Sequence, residues 1–198
     1  NFMNTITEIL NWISNSLLLP VIVLLLAAMA AALVSLGGFS SSCLVLLRQR
    51  KERERLLEAI RSGQEIEPGK LGTGIFARHL AELASLNWDE LECEKRITEY
   101  EMKYEHELER SRFMMKVAPM LGLMGTLIPM GPALGGLASG DIGSMAYNMQ
   151  IAFATTVVGC FAAGVGLLVY SVRRHWYAEE ISNLRYVLER QLKMRGEA

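Results

Sequence analysis

Residues 1–47 and 117–172 contain neither lysine nor arginine, although the chain of 198 residues has 20 of them. Every cation falls between Arg48 and Lys116 or between Arg173 and Arg195. A lysine or arginine at the centre of a bilayer is costly, whereas cytoplasmic segments accumulate both. Acids are almost as scarce in the same stretches, which hold only Glu8 and Asp141. Since these stretches are also the apolar ones, the gaps in the cation map mark what crosses a membrane or lies beyond it.

Other shortages exclude classes of function. The three cysteines, Cys43, Cys93 and Cys160, have no metal-ligand spacing and no oxidising address, so free thiols are expected. His79, His106 and His175 form no metal spacing either and are expected at the surface. A net charge of −1, with acids mingled among the bases, offers nucleic acid no one-signed surface. Nothing pairs a nucleophile with a base, so neither an enzyme nor a cofactor is expected. Gly72-Thr73-Gly74-Ile75-Phe76-Ala77 mimics half of a dinucleotide fingerprint, but no β-branched strand precedes it.

What remains is length and apolarity. A membrane helix needs about 20 apolar residues. Leu17–Leu47 supplies one, and the stretch from Val117 to Val172 supplies two, joined by the turn-like Ala138-Ser139-Gly140-Asp141-Ile142-Gly143-Ser144. Asp141 there reads as a turn former, with help to ion access as the other reading. The fold class is therefore all-α and polytopic, with three transmembrane helices and long helical cytoplasmic extensions. The expected order is an outer segment 1–16, transmembrane helix 17–47, cytoplasmic loop 48–112, transmembrane helix 113–137, outer turn 138–145, transmembrane helix 146–172 and cytoplasmic helix 173–198. Cations follow the first span, precede the second and follow the third, which puts the N-terminus outside and the C-terminus in the cytoplasm.

The outer segment lacks the cationic start of a secretory signal and is expected to be retained. Ile6, Ile9, Ile13 and Leu17, with Trp12 nearby, suit a short helix at the outer interface; a frayed polar lead-in fits as well. In the cytoplasm, Arg48–Ser62 continues the first helix until Gly63 and Pro68-Gly69 end it. A short helix is expected around Ile75–Leu86. Asn87-Trp88-Asp89-Glu90 then offers an N-cap, and Ile97, Tyr100, Tyr104 and Leu108 share one face of a helix that meets no breaker before Pro119. That helix is expected to run directly into the second span. Tyr177, Ile181, Leu184, Leu188 and Leu192 form a second stripe after the third span. The stripes serve either packing within the chain or contacts between subunits.

The second span is rich in small and helix-breaking residues: Pro119, Gly122, Gly125, Pro129, Gly131, Pro132, Gly135 and Gly136. In lipid, small residues let helices approach closely, and proline frees carbonyls that must face protein or water. Asn148, Ala152, Thr156, Gly159 and Ala163 make a matching face on the third span. Gly122, Gly125, Pro129, Ala152, Gly159 and Ala163 are the expected close-packing positions. Thr126 and Thr156 are the polar points of the two faces. A facing pair of hydroxyls can hold a file of water or receive a carboxyl group, while a single threonine more often bonds its own i−4 carbonyl.

Ala118-Pro119-Met120-Leu121-Gly122-Leu123-Met124-Gly125-Thr126 and Ala152-Phe153-Ala154-Thr155-Thr156-Val157-Val158-Gly159 resemble the signature segments of the MotA/TolQ/ExbB proton-channel family. Three spans and helical extensions are closest to its TolQ/ExbB branch. The resemblance implies a homopentamer around two copies of a TolR-, ExbD- or MotB-like partner. That partner has a single span whose aspartate carries the ion. Thr126 and Thr156 match the family threonines that line the ion path, in a stator driven by the proton motive force. Where the branch has Pro-Gly and then a glutamate, this chain has Tyr147-Asn148 and then Ile151. Asn148 and Gln150 would give that part of the path a neutral polar lining. Sodium in place of the proton, and a non-conducting membrane scaffold, are the alternatives.

Overall fold

The computed structural model describes residues 2–62 and 74–196, with side chains described for all of these except residues 40–50. Gly63, Pro68-Gly69, Gly72, Thr73 and the side chain of Cys43 lie outside the described residues. Among the described residues four helices follow one another: α1 (Phe2–Arg61), α2 (Ile75–Ser85), α3 (Glu90–Ser139) and α4 (Ile142–Gly196). Among the described residues three stretches, within α1 (Phe2–Phe39), α3 and α4, are long and apolar enough to cross a membrane. At about 1.5 Å per residue a helix of this length far exceeds a hydrocarbon core of about 30 Å. Each therefore carries a membrane part and a part outside it.

The expected separation of an outer segment 1–16 from the first span has no counterpart in the backbone. Residues 2–16 belong to the same helix as the span, which also passes through Pro20. Ile6, Ile9, Ile13 and Leu17 are all exposed. Thr7 and Ser16 donate to the carbonyls of Met3 and Trp12 at 3.0 and 2.8 Å, so these polar side chains are satisfied without breaking the helix.

The outer turn is shorter than expected, two residues in place of eight. Gly140 adopts φ 77°, a left-handed conformation that glycine reaches without penalty. The N–H of Asp141 donates to Gly136 O at 2.8 Å and that of Gly140 to Leu137 O at 3.2 Å, the paired bonds of a Schellman motif. Asp141 then caps α4, its Oδ1 accepting from the Ser144 N–H at 3.0 Å. The turn-forming role of Asp141 is thus the one realised.

Two compact units result, one of residues 1–37 and 110–170, the other of residues 38–109 and 171–198. In the second, Phe76, Leu80, Leu83, Trp88, Cys93, Ile97, Tyr104, Ile181, Leu184, Val187 and Leu188 form a buried cluster. Both aromatic-aliphatic stripes therefore serve contacts within the chain. The bend between α2 and α3 uses two left-handed residues, Asn87 at φ 53° and Trp88 at φ 55°. Asparagine tolerates this region; tryptophan does so here as a residue only 7% exposed in that cluster. Asp89 caps α3 by accepting from the Glu92 N–H at 3.0 Å. Arg190 closes α1 by donating to the carbonyls of Ile60 and Arg61 at 3.1 and 2.8 Å.

His79 is buried, contrary to the expectation of a surface residue. Its Nδ1 lies 2.7 Å from Glu180 Oε1, which also accepts from the Tyr104 hydroxyl at 3.0 Å. The ring stacks on Tyr100 at 4.1 Å. Tyr100 and Tyr177 donate to Glu82 and Glu107, respectively. Burial first, and the neighbouring carboxylates second, push the ionisation of Tyr100, Tyr104 and Tyr177 well above the ordinary tyrosine range. Burial and then Asp89 push the Cys93 thiol up as well. Cys93 and the exposed Cys160 are free, as expected.

Candidate functional site

The membrane portions of α3 and α4 meet along a seam of small residues. A Cβ on Gly159 would lie 2.8 Å from Ala118 O and 2.9 Å from Gly122 Cα, so backbone touches backbone at this level. One turn toward the α3–α4 turn, a Cβ on Gly125 would lie 2.6 Å from Thr155 Cβ. Toward the other end, Gly166 faces the backbone of Ser111 and Met115. Only glycine permits these approaches.

Of the positions expected to pack closely, Gly122, Gly125, Pro129, Ala152 and Gly159 are buried; Ala163 is half-buried, and Ala162 beside it is the fully buried one. Gly131 and Gly135 have open space around them. The sequence pattern does not separate these two from Gly122 and Gly125, because a helical wheel shows which residues share a face and not which neighbour lies across it.

The seam brings Thr126 and Thr156 together. Their hydroxyl oxygens are hydrogen-bonded to one another. Thr126 Oγ1 is also 3.0 Å from Gly122 O, its own i−4 carbonyl, and 3.4 Å from Ala152 O. Thr156 Oγ1 is 3.1 Å from Ala152 O, again its i−4 carbonyl. Local back-bonding and the cross-helix pair therefore coexist, and both threonines are half-buried.

A third hydroxyl belongs to the group. Thr155, 8% exposed, places Oγ1 3.0 Å from Ile151 O and 2.9 Å from Ala152 O. Sequence reasoning passed over it, although the doublet Thr155-Thr156 stands inside the motif and the doublet itself was the available signal. One carbonyl oxygen, that of Ala152, thus lies within 3.4 Å of three threonine hydroxyls. Pro129, moreover, has no N–H to give to the carbonyl of Gly125 four residues earlier.

The other expected lining residues stand apart from this group. Asn148 is half-buried and donates to its own i−4 carbonyl, Ser144 O, at 2.9 Å. Gln150 is exposed and lies about 120° around α4 from Thr156 at about 100° per residue. No Asp, Glu, Lys or Arg occurs between Val117 and Val172 except Asp141 in the turn. The seam can give and take hydrogen bonds; it holds no carboxylate, amine or imidazole with which to carry a proton.

A sequence model of the MotA/TolQ/ExbB proton channel family matches residues 69–185, a span that contains the whole seam from Ser111 to Gly166. No curated protein and no solved structure was found to match the chain.

Proposed function

The chain belongs to the MotA/TolQ/ExbB proton channel family, and from that membership we propose that it is the ion-conducting stator subunit of an energy-transducing membrane motor. It is a multi-pass membrane protein, and its role is transport without an enzymatic step. Five copies, with N-termini outside and C-termini in the cytoplasm, surround the single spans of a TolR-, ExbD- or MotB-like partner. The observation that carries this reading is the Thr126–Thr156 hydroxyl pair in a seam without an acid or base of its own. Such a pair positions an ion or a protonated carboxyl, and the titrating aspartate comes from the partner. The driving force is about 2.3 kcal/mol per charge per 100 mV.

Proton flux into liposomes, measured with and without the co-purified single-span partner, tests the reading. Thr126→Val together with Thr156→Val keeps the β-branched shape and removes both hydroxyls. Flux is expected to vanish while the complex still assembles; flux at the wild-type rate removes the threonines from the path.

A sodium-driven mechanism is favoured by one further observation, the three hydroxyls gathered around Ala152 O. Neutral hydroxyl and carbonyl oxygens are the ligands that replace the water shell of an alkali cation. Replacing sodium by choline at a fixed pH gradient separates the two ions: a proton channel keeps its flux and a sodium channel loses it. The scaffold alternative loses Gly122, Gly125 and Gly159 to contacts inside one chain, which leaves it Gly131 and Gly135 as open small positions on the second span.

A further inference from the structure

We infer that Thr155 is a positioning residue whose hydroxyl sets the direction in which the hydrogen bond between Thr126 and Thr156 is donated. The functional consequence rests on the proposed ion path; the hydrogen-bond coupling does not. Each hydroxyl has one proton to give, and a carbonyl oxygen has two lone pairs. One lone pair of Ala152 O already faces the helical N–H four residues on. Room is left for one hydroxyl donor, yet those of Thr155 and Thr156 lie at 2.9 and 3.1 Å.

With Thr155 donating to Ala152 O the place is taken, so Thr156 donates to Thr126 and Thr126 donates to Gly122 O. Both lone pairs of Thr156 are then free, and one of Thr126. With Thr155 turned to Ile151 O, Thr156 is able to take Ala152 O while Thr126 donates to Thr156. Both lone pairs of Thr126 are then free, and one of Thr156. Every oxygen stays where it is in both, since Thr155 Oγ1 reaches Ile151 O and Ala152 O at nearly equal distances of 3.0 and 2.9 Å. Only protons rotate. The side chain lies against Gly125, where an added Cβ would be 2.6 Å from Thr155 Cβ and 2.7 Å from its Oγ1.

Thr155 is thus the third rotor, and its donation to Ala152 O holds the pair in the direction from Thr156 to Thr126. With its hydroxyl gone, Ala152 O is open to Thr156 throughout, and nothing in the seam selects between the two directions. A donor passing from one threonine to the other then meets a pair whose direction is no longer set.

Two substitutions of Thr155, a double-mutant cycle with Thr156 and two measurements test this. Thr155→Val keeps the shape against Gly125 and removes the hydroxyl; Thr155→Ser keeps the hydroxyl. Flux through the complex of chain and partner in liposomes is expected to fall about tenfold in the valine variant, the effect of one hydrogen bond on a barrier. The serine variant is expected to stay near the wild-type rate. The second measurement needs no flux: a double-mutant cycle in Tm between Thr155→Val and Thr156→Val. Two hydroxyls that compete for one carbonyl give a double variant whose shift differs from the sum of the single shifts. Wild-type flux in Thr155→Val, beside lost flux in the Thr126 and Thr156 double variant, overturns the inference and leaves the proposed function standing. Wild-type complexes that pass no ion overturn the proposed function instead. An additive cycle overturns the coupling whatever the flux.

Discussion

Replacing Gly159 by alanine puts a methyl group 2.8 Å from Ala118 O, 2.9 Å from Gly122 Cα and 3.2 Å from Gly122 N. All three neighbours are backbone, so no side-chain rotation relieves the contact. Carbon atoms rest at about 3.5–4.0 Å, so α3 must retreat by about 0.6 Å or more. Overpacking of this kind costs about 1–3 kcal/mol. Alanine also gains helix propensity over glycine, by about 1 kcal/mol, and this gain would mask part of the cost. Gly164 supplies the control: it lies on the same helix with nothing within 4 Å of an added Cβ. Comparing the two variants cancels propensity and leaves the contact. For a chain of this size about 1–3 kcal/mol becomes a Tm difference of about 2–12 °C. Thermal unfolding of the detergent-solubilised chain, followed by circular dichroism, measures it. Equal Tm values for Gly159→Ala and Gly164→Ala would refute a backbone-to-backbone seam at this level.

Three further outcomes are expected in the unit of residues 38–109 and 171–198. Glu180→Leu leaves the buried His79 Nδ1 and the Tyr104 hydroxyl without their shared partner, at a cost of about 1–3 kcal/mol for each, and adding His79→Phe should recover part of it; denaturant titration of both variants gives the comparison. Arg190→Met removes two donors from the carbonyls that end α1 and should cost about 1–2 kcal/mol, seen as faster amide exchange near Ile60. Tyr100, Tyr104 and Tyr177 ionise above the ordinary tyrosine value in the folded state. Their contribution is therefore complete below the unfolded-state value and is lost as pH rises toward the folded-state value. Ultraviolet titration should find these tyrosines protonated until the unit unfolds; early ionisation at ordinary tyrosine pH would contradict their burial.

Local rules carried much of this architecture. The Lys and Arg gaps located three apolar helices, the absence of a breaker between Trp88 and Pro119 foretold an unbroken α3, and the Gly140-Asp141 pair foretold the turn. Thr126 and Thr156 could be paired from their motifs. Relations across distant sequence could not be read in this way. His79 and Glu180 are 101 residues apart, and nothing in either neighbourhood says that they meet. Thr155 signals itself only by its doublet with Thr156, because its close approach is to Gly125, across the seam. The segment 2–16 has an interfacial pattern, but pattern alone does not reveal whether the helix bends before Leu17.

The neutrality of the seam also fits what an ion path requires. An ionised carboxylate placed where Gly122 and Gly159 touch would have no water and would be strongly disfavoured. Threonine avoids that penalty, since one hydroxyl of the pair donates to the other and the remaining protons go to the carbonyls of Gly122, Ile151 or Ala152 when nothing else is present. An arriving carboxyl or cation must then compete with these internal bonds, each worth about 0.5–1.5 kcal/mol net. Binding is weakened by that competition, and conduction needs a site that releases what it holds. On the proposed ion path, the back-bonding that would count against a single functional threonine becomes the reason that the threonines release the ion.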